Sequence, residues 1–253
     1  MRFLKNNFIF LVSFVVLALV WWGISYFRIV NTLFLPTPYQ ILSSTKSLFL
    51  ERFFLNDIGM SVFRVVAAFL ISVILAVPLA ILMCIYKPFS NLLSPYIDFT
   101  RYLPVPTLIP LTILFFGIDE SAKIVLLFIG TFFQLILLIV DDIHQIPQEY
   151  YDLAYTLNFS QFQRMKLVFR SVLPQIYDNS RITLGWCWTY LIIAELVASD
   201  KGIGHMIKEA QRFSNTSDVY VGIITMGIIG FFSDYSFKKA YPYFFKYEHK
   251  NSV

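Results

Sequence analysis

Six apolar runs, most of them near the roughly 20 residues that cross a bilayer as a helix, follow one another along this chain. They cover about residues 8–27, 61–85, 102–118, 123–140, 181–197 and 219–232. Backbone polar groups in hydrocarbon must be satisfied within the segment, so runs of this length are helices or they are not in a membrane. Composition agrees: 57% of the 253 residues are hydrophobic and 14% are charged, with a mean hydropathy of +0.66. A soluble domain carries roughly 25% charged residues. A soluble enzyme, a disordered chain, a collagen and a secreted disulfide scaffold are excluded. The expected fold class is an all-α polytopic membrane protein with six transmembrane helices.

The first run follows Arg2 and Lys5 and precedes Arg28, with no small-x-small cleavage site after it. It reads as a retained anchor rather than a signal peptide. The chain therefore divides into residues 1–34, an N-terminal tail and anchor helix, and residues 35–253, the main transmembrane domain. Leu35-Pro36-Thr37-Pro38 is an extended turn, because each proline disfavours helix at the residue before it. Residues 39–53 read as a short helix at the interface. Pro78 should kink the second run. Pro104, Pro106 and Pro110 predict an irregular start to the third, after a polar connection over residues 86–101.

Six spans put both termini on one side. Placing that side in the cytoplasm gives it Arg2, Lys5, Lys87, Arg101, Arg164, Lys166, Arg170, Arg181, Lys238, Lys239, Lys246 and Lys250, which is 12 of the 20 basic residues. The sign agrees with the positive-inside tendency. The expected location is the bacterial cytoplasmic membrane, with the 199–218 loop and its short helix, about residues 205–213, lying flat outside.

Chemistry is sparse. Neither a phosphate-cradling Gly-x-x-x-x-Gly-Lys nor a nucleophile elbow nor a His-Glu-x-x-His occurs. His144, His205 and His249 sit in separate polar segments without partners at a ligand spacing, and Cys84 and Cys187 lie in separate apolar runs. A net charge of +4 is too mild to suggest nucleic acid. The chain is expected to have no catalytic residues, no cofactor and no metal. Uphill movement of a solute would draw its energy from a partner or an ion gradient.

The informative segment is the long polar one, about residues 141–179. Glu149-Tyr-Tyr-Asp152-Leu153-Ala154-Tyr-Thr-Leu157-Asn158 predicts a short helix with Leu153, Ala154 and Leu157 on one side. Asn158 ends it, because Asn accepts the left-handed conformation. Ser160 is placed to N-cap a second helix, and Leu173-Pro174 to turn the chain back to the bilayer. Helix, bend, helix and return make a knob on the membrane face.

This segment resembles the EAA loop of ABC importer permease subunits, Glu-Ala-Ala-x-x-x-Gly followed by a Leu-Pro. Asp152, Leu153, Ala154 and Asn158 stand at the Glu, Ala, Ala and Gly positions. Further segments resemble the nitrate/sulfonate/taurine-type branch: Leu35-Pro-Thr-Pro38, Leu103-Pro-Val-Pro106, Ile109-Pro-Leu111, Phe115-Phe-Gly117-Ile118, Gly185-Trp186, Ala194-Glu195-Leu196, Gly202-Ile-Gly204 and Gly227-Ile-Ile-Gly230. The resemblance implies a type I ABC importer transmembrane fold, a homodimer with the path on its two-fold axis, a cytoplasmic ABC ATPase dimer that spends the ATP, and a periplasmic or lipid-anchored solute-binding protein. It assigns Asp152, Leu153, Ala154, Leu157 and Asn158 to the ATPase contact. It implies a small solute, an anion such as nitrate, bicarbonate or a sulfonate, or else a pyrimidine vitamin precursor. Glu195 and Thr189 are candidates for the path or its gate, with a structural helix-end role as the alternative for Glu195. A secondary transporter or channel subunit is the rival class.

Overall fold

The computed structural model describes residues 2–246, and for residues 2–11 and Phe14 it describes the backbone alone. His249 and Lys250 of the basic tail lie outside the described residues, as do the side chains of Arg2 and Lys5. Every regular element among the described residues is a helix. In order these are α1 (Arg2–Tyr26), α2 (Pro38–Glu51), α3 (Phe54–Ile85), α4 (Lys87–Thr100), a 3-10 turn (Val105–Leu108), α5 (Ile109–Phe116), α6 (Glu120–His144), α7 (Gln148–Thr156), α8 (Gln161–Ala198), α9 (Ile203–Arg212) and α10 (Thr216–Phe244).

Among the described residues four helices, α3, α6, α8 and α10, are long and apolar enough to cross a membrane. The third run of the sequence takes a different form from the single span expected. Within the polar connection read over residues 86–101, residues 87–100 are helical, and α4 meets the segment Val105–Phe116 at 95°, a bent pair with the form of a broken span or a re-entrant loop. Proline chemistry explains the break. Pro104 and Pro106 carry no N–H, so the chain cannot continue α4 through them, yet proline is tolerated in a first helical turn, where the 3-10 turn and α5 each place one. The first run of the sequence falls on α1, of which Val15–Tyr26 is the apolar part among the described side chains.

α8 also departs from expectation. The second helix of the polar segment and the fifth span are one helix of 38 residues, about 57 Å long. Pro174 does not turn the chain back but sits inside this helix. It removes the N–H that would bond the carbonyl of Arg170, a loss of about 3 kcal/mol in an ordinary helix. Burial offsets that loss: Val172, Pro174 and Ile176 are all buried, and Val172 and Ile176 pack with Ile139 and Ile143 of α6 and Met83 of α3.

α8 therefore fixes two ends of the bundle. α7 precedes its first residue and α9 follows its last. At the α7 end, α3, α4, α6 and α8 share one core cluster. Midway, Val65 and Ala68 of α3 meet Leu127 of α6 and Cys187 and Leu191 of α8. At the α9 end, Ile203, Met206, Ile207 and Ala210 of α9 pack with Ile41 and Leu48 of α2 and Val221 of α10. α2 starts as its sequence dictates: Thr37 and Gln40 form a reciprocal capping box and Pro38 occupies the first turn.

Candidate functional site

The knob is built by two helix terminators in series. α7 ends in a left-handed residue, Asn158, at φ 50°. The Asn158 N–H donates to the carbonyl of Tyr155 and the Phe159 N–H to that of Ala154, both at 3.0 Å. This is the Schellman closure, which satisfies carbonyls that a helix end leaves open. Ser160 then caps α8 through a capping box. Its N–H donates to Gln163 Oε1 at 2.7 Å, and the Gln163 N–H donates to its hydroxyl at 3.4 Å. Arg164 Nε donates to the Phe159 carbonyl at 3.0 Å and braces the bend from the α8 side.

α7 stands clear of the bundle. Ala154 is 2% exposed, its one buried residue, whereas Leu153 is 54% and Leu157 55% exposed. Of the three, only Ala154 is packed inward. Tyr150, Tyr155 and Phe162 are exposed beside them. Asp152 lies one turn into α7 rather than at its start, where Glu149 takes the position favoured by the helix dipole. Asp152 is exposed, and it accepts a 3.3 Å bond from Gln148 Nε2. Apolar side chains are thus held outward on a nine-residue helix, with an acid among them.

The other end carries a network of buried charge. Arg64 of α3 is wholly buried. Its Nη1 donates to Glu195 Oε1 of α8 at 2.5 Å and to the Lys201 carbonyl at 2.7 Å. Its Nε and Nη2 grip Glu120, the first residue of α6, at 2.5 and 2.7 Å. Lys123 Nζ, also buried, reaches Glu120 at 3.1 Å. Two cations thus meet two anions, the arrangement that makes ionised groups tolerable in low dielectric.

The same network seats α9. The amide of Gly202 donates to Asp57 Oδ1 (2.7 Å), that of Ile203 to the Ser61 hydroxyl (2.9 Å) and that of Gly204 to Glu195 Oε2 (2.7 Å). Asp57, Ser61 and Arg64 lie at i, i+4 and i+7 on α3, so one helix face presents all three. Gly202 has φ +116°, and a Cβ there would stand 2.4 Å from Glu195 Oε1. Glycine is required at that position both by backbone conformation and by the closeness of the carboxylate.

Thr189 and Glu195 do not come together. Glu195 points into the interior, while Thr189 is on the outward face of α8 with Ile182 and Gly185, its hydroxyl turned to the Gly185 carbonyl at 3.4 Å. Arg181 pairs with Asp234 of α10 at 3.0 Å. The pairing of buried Arg64 with half-exposed Glu120 and buried Glu195 goes beyond the sequence reading. Its signal was present in the Asp57/Ser61/Arg64 stripe and in the Gly202-x-Gly204 that follows Glu195. Among the described residues no group of His, Cys, Asp and Glu is placed to hold a metal ion.

A polytopic bundle with a bent, apolar knob on one face is the architecture of an ABC importer permease subunit. The solved structure of the methionine transporter MetNI, in an inward-facing conformation, matches with a TM-score of 0.65 over 74% of this chain and 94% of that one, at 14% identity. The chain belongs to the binding-protein-dependent transport system inner membrane component family, whose model matches residues 68–239. The aliphatic sulfonates transport permease protein SsuC of Bacillus subtilis is 32% identical over 87% of this chain and 80% of its own length. The taurine transport system permease protein TauC of Escherichia coli is 30% identical over 85% and 81%. The nitrate import permease protein NrtB of Synechocystis is 27% identical over 79% and 76%.

Proposed function

We propose that this permease subunit forms, as a homodimer, the membrane path by which a small oxyanion such as a sulfonate, nitrate or bicarbonate enters the cell, driven by an ATPase dimer docked on α7. Family membership carries the coarser statement, an inner-membrane subunit working with a binding protein and an ATPase. The observation that carries the finer one is the α7–α8 bend. Asp152, Leu153, Leu157 and Asn158 stand outside the bundle, with Ala154 as the tether. A helix packed in a partner's groove moves as a rigid body with it. Because α8 runs without interruption from that bend to Glu195, movement at the knob has a direct mechanical route to the α9 end. The binding protein is assigned to the α9 end, and the α7 end to the cytoplasm. Similarity to sulfonate, taurine and nitrate permeases supports the anion class.

The test is uptake of labelled taurine, nitrate and bicarbonate by cells carrying the chain with its ATPase and binding protein. Uptake of one of these, abolished by an inactive ATPase, is expected. Uptake that persists without ATP hydrolysis would place the chain with secondary transporters.

A further inference from the structure

Where α4 gives way to the 3-10 turn, the chain passes the middle of α6 and leaves a recess of about 50 Å³. Thr100 and Arg101 from the end of α4, Gly130 and Gln134 of α6 and Tyr190 of α8 line it. Gly130 makes the room: a Cβ there would stand 2.8 Å from the ring of Tyr190 and 3.0 Å from Val105 of the 3-10 turn. Gly130 and Gln134 lie between Glu120 and His144, the two ends of α6, at about 15–21 Å from either. The recess is therefore halfway across the bilayer. The sequence reading counts Arg101 on the cytoplasmic side; α4 carries it inward to this depth.

Arg101 is the one charged residue in the lining. Its guanidinium lies 5.5 Å from the ring centroid of Tyr102 and joins no ion pair among the described residues. Asp98, the nearest acid along the chain, stands one turn back on α4 and does not line the recess. The Gln134 amide and the Tyr190 hydroxyl likewise make no hydrogen bond among the described residues. A charged side chain at this depth is costly unless it meets water or a partner, and such groups mark the paths of ions and substrates. A guanidinium offers a planar fork of N–H donors that matches an oxyanion. The volume has room for roughly three to five waters, so it takes nitrate or bicarbonate whole and a sulfonate by its head.

We propose that Arg101, with Gln134 and Tyr190, forms the contact that a small oxyanion makes halfway along the membrane path; this rests on the reading of the chain as an oxyanion permease. The test is uptake of labelled nitrate, bicarbonate and taurine by cells carrying the full chain with its ATPase and binding protein. Arg101→Gln should cut initial uptake by about tenfold or more, the worth of one charge-assisted hydrogen bond, while the ATPase still co-purifies. Arg101→Lys, which keeps the charge without the fork, should lose less. Asp98→Asn should leave uptake unchanged. Full uptake by Arg101→Gln overturns the proposal and leaves the oxyanion permease standing. So does a loss of ATPase co-purification in Arg101→Gln, or an equal loss of uptake in Asp98→Asn, either of which would make the role of Arg101 structural. Import of none of the three anions by the unaltered chain would bring down both readings together.

Discussion

Asn158 and Arg64 carry the most consequence per residue. At φ 50° an Asn is at home, a Gly equally so, and a β-branched residue is a misfit by about 1–2 kcal/mol. Asn158→Val should therefore misdirect α7 against α8 while leaving membrane insertion normal, and Asn158→Gly should be tolerated. Co-purification of the ATPase from detergent, with uptake measured alongside, separates the two. Full ATPase binding and full uptake by Asn158→Val would reduce the knob to a plain connection. Arg64 obeys a different rule. Removing one partner of a buried ion pair leaves an uncompensated charge and costs about 3–5 kcal/mol. Glu195→Leu should thus lower the unfolding temperature in detergent sharply. Glu195→Gln, which keeps an oxygen for the Gly204 amide, should lower it less. Arg64→Lys should also fail, because an ammonium cannot reproduce the fork that holds Glu120 through two nitrogens and Glu195 through a third. Unchanged thermal stability in both Glu195→Leu and Arg64→Lys would contradict this account.

At the scale of elements, α9 shows how a short helix is held by its first turn. Its opening amides are received by side chains of α3 and α8 rather than by its own N-cap, since Gly202 has no side chain to offer. Ser61→Ala removes one such acceptor and should cost about 0.5–2 kcal/mol, felt locally. Hydrogen exchange should quicken at residues 202–206 and stay unchanged in α7. Uniform quickening along the chain would show that the loss is global instead. These elements were unequally legible in the sequence. The Asn158 bend, the Ser160 cap and the Thr37 turn were readable because each depends on chemistry within four residues. The unbroken α8 was not, because Pro174 survives in a helix only through the burial of Val172 and Ile176 against distant segments. α4 reads as a connection in the sequence because its polar residues mask a helical register that ends at Thr100. The Arg64 network joins residues 56 and 131 positions apart, a pairing that only the packing of α3, α6 and α8 supplies.

Across the whole molecule, the two special regions sit at opposite ends of one helix about 57 Å long, more than the roughly 40–45 Å of a complete bilayer. The α7 bend and the α9 seat must then lie on opposite sides of the membrane, whichever way the chain is inserted. The charge distribution chooses the direction: Arg164, Lys166 and Arg170 precede the apolar part of α8, and α10 runs to Lys238, Lys239 and Lys246 at the same end. Positive residues near span ends favour the cytoplasm, which supports the proposed placing of α7 inside and α9 outside. Cysteine accessibility tests this directly. Gln211 and Gln163 are exposed on α9 and at the start of α8, and neither has the left-handed backbone of Ser214, where a new side chain would add strain. A membrane-impermeant maleimide should label Gln211→Cys in intact cells and Gln163→Cys only after lysis. The unaltered chain is the control, since Cys187 is buried and Cys84 half-buried within the α7-end core. The reverse pattern would invert the topology and move the ATPase contact from α7 to the α9 end. Labelling of both in intact cells would show that the bend does not lie across the membrane from α9.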